Sequence, residues 1–363
     1  NNAYITDKLI NKNALLLGKA NLSEWAYFLC SGCPVGYSAV GGQTLNPYGR
    51  MIFETGGSSS GSGVAVAANF CVAAIGTETS GSILSPSSQN SIVGLKPTIG
   101  VLGRTGIVPI SGTLDTPGPM SRNVIDTAIL LNALIGKDSD DNTSVDININ
   151  FVDALKKSSL KGKRFGVIKD LLKDNIKTVD KEKIKKAGLD IIVIEPEEVQ
   201  LPGFLSILNI DMKNDLPHYI NSQSGKSVTV KNIEDVIAFN KRDSLIRIPY
   251  GQQLFEGIIE DTTTAEELKS IKENLKTVAR AYFDRSIDTY NLEVILSINN
   301  YHAGYAAVAK YPAITVPMGY TDKGEPKGLT FIGKPFSEEV LLQLGFGYEK
   351  ATKERKTPVN YSN

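Results

Sequence analysis

Histidine is nearly absent from this sequence: His218 and His302 are the only two in 363 residues. A hydrolase built on a histidine base has just these two candidates, and a lone imidazole is usually structural or at the surface. His218 stands in a polar Asp-Leu-Pro-His-Tyr stretch, and His302 in Asn-Asn-Tyr-His-Ala-Gly. Cysteine is as scarce, with Cys30, Cys33 and Cys71 alone. An odd count argues against a disulfide-stapled secreted scaffold. Cys30-Ser-Gly-Cys33 has the spacing of a redox pair or half a zinc site, but no second Cys or His pair lies nearby. Ordinary thiols in a loop, and no metal, are therefore expected. Net charge is missing too, since 39 Lys and Arg balance 39 Asp and Glu. That leaves no basic field for nucleic acid and no polybasic membrane patch. No apolar run approaches the roughly 20 residues of a membrane span. The remainder, 41% apolar and 21% charged, is that of an ordinary globular chain, expected in the cytoplasm. It is long enough for one large α/β domain or two smaller ones.

The hydrophobic pattern alternates element types. Helices are expected over 5–13, from about Asn21 with Ser23 and Glu24 in the first turn, over 64–70, 83–91, 122–135 and 264–285, and over 337–350. Short strands are expected at 14–17, 72–75, 93–95, 164–168, 190–194, 294–298, 313–316 and 328–332. Residues 34–62 have loop composition, rich in Gly, Ser, Asn and Pro, and the Asp/Asn-rich 137–150 reads as a solvated connection. The strands at 164–168 and 190–194 flank a helix, a plausible βαβ unit. No internal repeat stands out. The alternation predicts an α/β fold with a mixed central sheet covered on both faces by helices.

Chemistry concentrates in two turns. Residues 56–63 read Gly-Gly-Ser-Ser-Ser-Gly-Ser-Gly, and residues 76–83 read Gly-Thr-Glu-Thr-Ser-Gly-Ser-Ile. Ser58 and Ser82 are 24 residues apart, one in each. A serine hydroxyl is a weak nucleophile until a base takes its proton, and the developing oxyanion needs N–H donors. Glycine and serine let a backbone turn sharply and approach a substrate closely, and consecutive N–H groups in such a turn form an anion-binding nest. Thr79-Ser80-Gly81-Ser82 has the composition to supply those donors beside the Ser82 hydroxyl. A flexible linker is the bland alternative, but small apolar helix residues follow the first turn at once. No Gly-Lys-Ser/Thr ends either turn, which excludes a P-loop. Gly57-Ser58-Ser59-Ser60-Gly61 fits the Gly-x-Ser-x-Gly elbow with Ser59 at its centre. That enzyme would need His218 or His302, and the pattern is easily matched in a Gly/Ser-rich turn.

At these residues the chain resembles the amidase signature family. The likeness runs through both turns, then Val93-Gly94-Leu95-Lys96-Pro97-Thr98, Arg104-Thr105-Gly106 and Asp115-Thr116-Pro117-Gly118-Pro119-Met120. It extends upstream to Leu17–Trp25 and downstream to Tyr311–Pro317 and Gly328–Gly333. It implies one amidase-signature domain over 1–363, with a signature core at 56–120 and a variable, substrate-side region at 150–290. It further implies a Ser-cisSer-Lys triad. Ser82 is the nucleophile that forms the acyl-enzyme, Ser58 is the bridging serine preceded by a cis peptide, and Thr79, Ser80 and Gly81, with Ser82, supply the oxyanion hole. The implied reaction is hydrolysis of a carboxamide to a carboxylate and ammonia or amine. No cofactor and no metal take part, and the partner is a small-molecule amide rather than nucleic acid or membrane.

The lysine of that family precedes the first serine turn in a Lys-Asp-Asn-like segment after a strand. Lys8, Lys12 and Lys19 lie there, and none has that context. Lys173, in Leu-Lys-Asp-Asn, lies beyond both serines and reads as coincidence on a surface connection. The chain opens on Asn1 rather than Met, so the expectation is that the lysine belongs to a segment missing from its N-terminal side. Many relatives carry Arg two residues after the nucleophile, where this chain has Leu84. That weakens, without removing, the alternative of a tRNA-dependent amidotransferase of the A type. A catalytically dead binding or assembly module is the other alternative.

Overall fold

The computed structural model describes residues 2–169, 171 and 188–359. A two-stranded hairpin, β1 Tyr37–Ser38 and β2 Gly42–Gln43, stands apart from the main sheet. That sheet is built from β3 Ala73–Glu78, β4 Val93–Lys96, β5 Thr116–Ser121, β6 Arg164–Ile168, β7 Asp190–Ile194, β8 Val294–Ile298, β9 Ala313–Tyr320 and β10 Pro326–Ile332. Its order is β3-β5-β4-β9-β10-β8-β6-β7. The β6–β7 and β6–β8 pairs are parallel and the others antiparallel, so the sheet is mixed, as the alternation predicts.

Helices cover both faces, and β9 shows how. A Cβ built on Gly345 of the Glu338–Thr352 helix would lie 3.3 Å from Val316 and 3.4 Å from Ile314. Thr315, between them, meets Ser88 of the Leu84–Gln89 helix at 3.0 Å between hydroxyls. Successive strand side chains point to opposite faces, so these two helices lie on opposite sides of the sheet. Every residue of β8 is buried, the pattern of a strand enclosed on both faces. The long Ala265–Tyr290 helix starts on a capping box between Thr264 and Glu267.

Several sequence expectations need correction. The apolar run 14–17 is an exposed coil, Leu15 at 84% exposure, because no strand among the described residues pairs with it. The helix expected near Asn21 is only Glu24–Tyr27, with left-handed Trp25 and Ala26 inside it. Asn21 instead ties down a loop: its carboxamide donates to Gly36 O, Gly42 O and Thr44 Oγ1 and accepts from Ser38 Oγ. The helix expected at 64–70 is Ser60–Ala67. Its Gly/Ser start is helical because only glycine fits beside neighbouring backbone: a Cβ on Gly61 would run into Asn21, and one on Gly63 would sit 3.0 Å from Pro86 O. Cys30 and Cys33 form a disulfide, not separate thiols, since the turn at Gly32 (φ 75°) brings their Cα atoms to 5.6 Å. The helix expected between β6 and β7 falls, apart from residue 171, outside the described residues, and so does Lys173.

Candidate active site

The two serine turns meet. Ser59 N–H donates to Ser82 O at 3.2 Å, and Gly57 N–H to Ser85 Oγ at 3.4 Å. Beneath them Val66, Ala67, Ile83, Ile92 and Met120 form a small buried cluster separate from the main core.

The first turn is pinned from several sides. The Gly57–Ser58 peptide is cis. Ser58 O accepts from Ser23 N, and Gly61 N–H donates to Asn21 O at 2.9 Å. Ser60 Oγ donates to Gly56 O, and Ser62 Oγ to Ile75 O. Ser59 is buried, its hydroxyl donating to Thr77 O and accepting from Thr77 N. It is thus occupied in joining the turn to β3, and no histidine bonds it, which disposes of the elbow pattern. Ser58 Oγ differs from its neighbours. It is buried and has no hydrogen-bond partner among the described residues.

The second turn hangs on a carboxylate. Glu78, at the end of β3, is buried, and its Oε2 accepts from Ile83 N at 2.8 Å and Leu84 N at 3.0 Å. Both amides follow Ser82 directly, so Glu78 fixes how the chain leaves that residue. Burial pushes the Glu78 carboxyl up, resisted by the Lys96 charge and by the N–H groups of Leu84, Ile83 and Gly81. Burial pushes the Lys96 ammonium down, resisted by Glu78 and Glu338. Ser82 is half-buried, and its hydroxyl bonds nothing among the described residues. The Thr79, Ser80 and Ser82 N–H groups also donate to no described acceptor, whereas the Gly81 N–H bears on Glu78.

Next to Thr79 the loop 104–115 is held by a second set of charges. Asp115 Oδ1 accepts from Thr79 Oγ1 at 2.6 Å, and its Oδ2 from Ile110 N and Ser111 N at 2.8 Å each. Burial pushes the Asp115 carboxyl up to about 6 against those three donors and Arg104. Arg104 forms a bidentate pair with Asp141, Nε to Oδ2 at 2.8 Å and Nη2 to Oδ1 at 2.9 Å. Despite burial, these bonds and that charge hold Asp141 down to about 2. A cavity of about 760 Å³ opens here, lined among others by Thr77, Thr79, Arg104, Asp115, Asp211 and Lys272. It reaches Thr79 but is not lined by Ser58 or Ser82, so the open volume lies beside the serines.

The histidines sit apart from the serines' hydrogen bonds. His302 Nδ1 meets Ser297 Oγ at 2.7 Å, and burial lowers its pKa to about 4. His218 is exposed on the cavity wall. Among the described residues no group of three or more His, Cys, Asp or Glu could hold a metal ion, and no helix is long and apolar enough to cross a membrane. Sequence reasoning passed over Glu78 and Asp115. Both stand inside the motifs that carry the resemblance, and a lone acidic residue within a Gly/Ser/Thr turn was the available signal.

A family model described as Amidase matches residues 1–211. A probable amidase of Arabidopsis thaliana is 34% identical over 98% of this chain and 71% of its own length. The A-type component of the glutamyl-tRNA(Gln) amidotransferase of Caldanaerobacter subterraneus subsp. tengcongensis is 32% identical over 97% of this chain and 77% of its own. The crystal structure of native peptide amidase from Stenotrophomonas maltophilia superposes with a TM-score of 0.93 at 34% identity, over 100% of this chain and 79% of that one.

Proposed function

The chain belongs to the amidase signature family and is an amidase, a hydrolase of amide C–N bonds, and on that footing we propose that it hydrolyses a carboxamide through an acyl-enzyme on Ser82, with Ser58 as proton relay. Ser82 Oγ attacks the carbonyl carbon. Its proton passes to Ser58 Oγ, which gives its own proton to an amine base. The oxyanion gathers its negative charge against the N–H groups of Thr79 and Ser80, with Gly81 and Ser82 completing the turn. The C–N bond breaks as the proton returns along the same path to the leaving nitrogen. Water then cleaves the acyl-enzyme by the reverse relay and releases the carboxylate.

The observation that carries this reading is the buried, unpartnered hydroxyl of Ser58, in a turn bonded directly to Ser82 O. A hydroxyl kept from water without a partner sacrifices about 1–3 kcal/mol, a sacrifice with a purpose if that oxygen passes protons. The base is the lysine that the family resemblance implies, and no lysine among the described residues bonds Ser58 Oγ. Likeness to a peptide amidase makes a blocked amino-acid amide the first probe. In the full-length protein, Ser82→Ala should abolish hydrolysis of N-acetyl-phenylalanine amide while leaving the melting temperature within a few degrees. Undiminished turnover would remove Ser82 from the mechanism.

A second reading has one observation in its favour, the 32% identity to the A-type component of a glutamyl-tRNA(Gln) amidotransferase. It requires ATP-dependent transfer of ammonia within a larger complex. Leu84, buried where many relatives carry Arg, stands against it. Amide hydrolysis by the purified protein without ATP favours the first reading.

A further inference from the structure

We infer that Asn300 is a substrate-contacting residue that selects amides over esters; this inference rests on Ser82 being the nucleophile. Asn300 lies in the turn after β8, and its carboxamide comes against the second serine turn. A Cβ built on Gly81 would lie 3.0 Å from Asn300 Nδ2 and 3.3 Å from Ala303 Cβ. Gly81 has φ 85°, so it presents this face in a conformation that only glycine adopts freely.

Neighbouring residues show that the placement is built. Asn299 is buried and tied to β10 through its backbone and its side-chain oxygen: its N–H donates to Gly328 O, and its Oδ1 accepts from Gly328 N at 2.9 Å. Its carbonyl accepts from Thr330 Oγ1. Tyr301 N–H donates to Ile298 O and Ala303 N–H to Asn300 O, which closes the turn. The Asn300 backbone is thus clamped between two sheet strands and the helix at Ala303–Ala309. Its side chain, half-buried, makes no hydrogen bond among the described residues. One asparagine holds the loop, and the next presents an uncommitted carboxamide one residue from Ser82.

A carboxamide offers both an acceptor and donors, and a substrate amide has N–H groups that the matching ester lacks. A site that hydrogen-bonds a substrate N–H discriminates against the analogue without it, because its own polar group is then left unpaired. Asn300 Oδ1 accepting from the scissile N–H would supply that discrimination without entering the proton relay.

The test is the ratio of kcat/KM for N-acetyl-phenylalanine amide to that for its methyl ester, measured on the full-length protein and on Asn300→Ala and Asn300→Leu. The ratio cancels any change in the active fraction. It should fall about tenfold or more in both variants, while Ser82 is still labelled by phenylmethylsulfonyl fluoride at close to the parent rate. A ratio unchanged within about twofold overturns the role of Asn300. In the Ser82→Ala background, the calorimetric Kd for the amide should rise with Asn300→Ala even where no turnover is seen, and an unaltered Kd there also overturns it. Failure of the underlying reading looks different: Ser82 stays unlabelled in the parent and Ser82→Ala keeps its activity, whatever the ratio does.

Discussion

In the first serine turn every anchor is neutral: the Asn21 and Ser58 carbonyls, the Ser59, Ser60 and Ser62 hydroxyls, and the backbone of β3. In the second, the anchors are acids: Glu78 behind Ser82, and Asp115 behind Thr79. The turns also differ in what meets their glycines. Gly61 and Gly63 press onto the backbone of other chain segments, while Gly81 faces the side chains of Asn300 and Ala303. A turn that must hold a proton relay in place is built here from close backbone contact, which no change of pH disturbs. A turn that must present N–H groups to an anion is built around carboxylates that draw other N–H groups away from it. The first should therefore be sensitive to atoms added or removed, and the second to charge.

Ser58→Ala is the strongest way to break that contrast. It removes the relay oxygen, so we expect kcat to fall by roughly a thousandfold, about 4 kcal/mol of barrier. Because Ser58 Oγ bonds nothing among the described residues, thermal unfolding should be unchanged or slightly improved. A stable variant with parental kcat would mean the buried hydroxyl has no part in proton transfer.

Gly61→Ala probes the same turn without touching the chemistry. A methyl there meets the Asn21 backbone, which cannot swing aside as a side chain could. Overpacking of this kind typically destabilises by about 1–3 kcal/mol, and denaturant melts would read it. The matching change at Gly63, 3.0 Å from Pro86 O, should be milder. Equal tolerance of alanine at 61 and at an exposed glycine such as Gly18 would undo the argument from close contact.

How much of this was legible in the sequence follows the same division. The long periodic elements were readable, such as Ala265–Tyr290 and Glu338–Thr352. So were the apolar strands β8 and β9, since their pattern is decided by burial along the element itself. The start of the Ser60–Ala67 helix was not, because its Ser and Gly residues are poor helix formers made acceptable by what packs on them. Strand β5 went unread because Pro117 and Pro119 argue against an inner strand. In the fold β4 pairs with β5 only at Ser121 and Met120, so both prolines sit where that side has no ladder to complete. The residues 14–17 misled because their apolar run has no pairing strand among those described. The hydroxyls at 58 and 82 stood out by composition, whereas Glu78 and Asp115 acquire their roles only through contacts: Oε2 with two amides of the next turn, Oδ1 with a threonine 36 residues away.

Asp115 tests the acidic half of the comparison, with the smallest expected effect. Its carboxyl lies at about 6 in the folded chain, above its ordinary 3.8. A carboxyl with a raised folded pKa binds its proton more tightly folded than unfolded, so its contribution favours the folded state in acid. That contribution is lost as pH climbs from about 4 towards 6 and beyond, and between pH 5 and 7 the loss is roughly 1 kcal/mol. The ionised form is nevertheless the one that accepts from Thr79 Oγ1, Ile110 N and Ser111 N together. Hydrolysis should therefore rise over the range in which this component of stability falls. Asp115→Asn removes the titration, so its melting temperature should lose that part of the decline between pH 5 and 7, and the rate should lose its rise near pH 6. If both slopes persist unchanged in Asp115→Asn, another group titrates there, and the second turn does not depend on this acid.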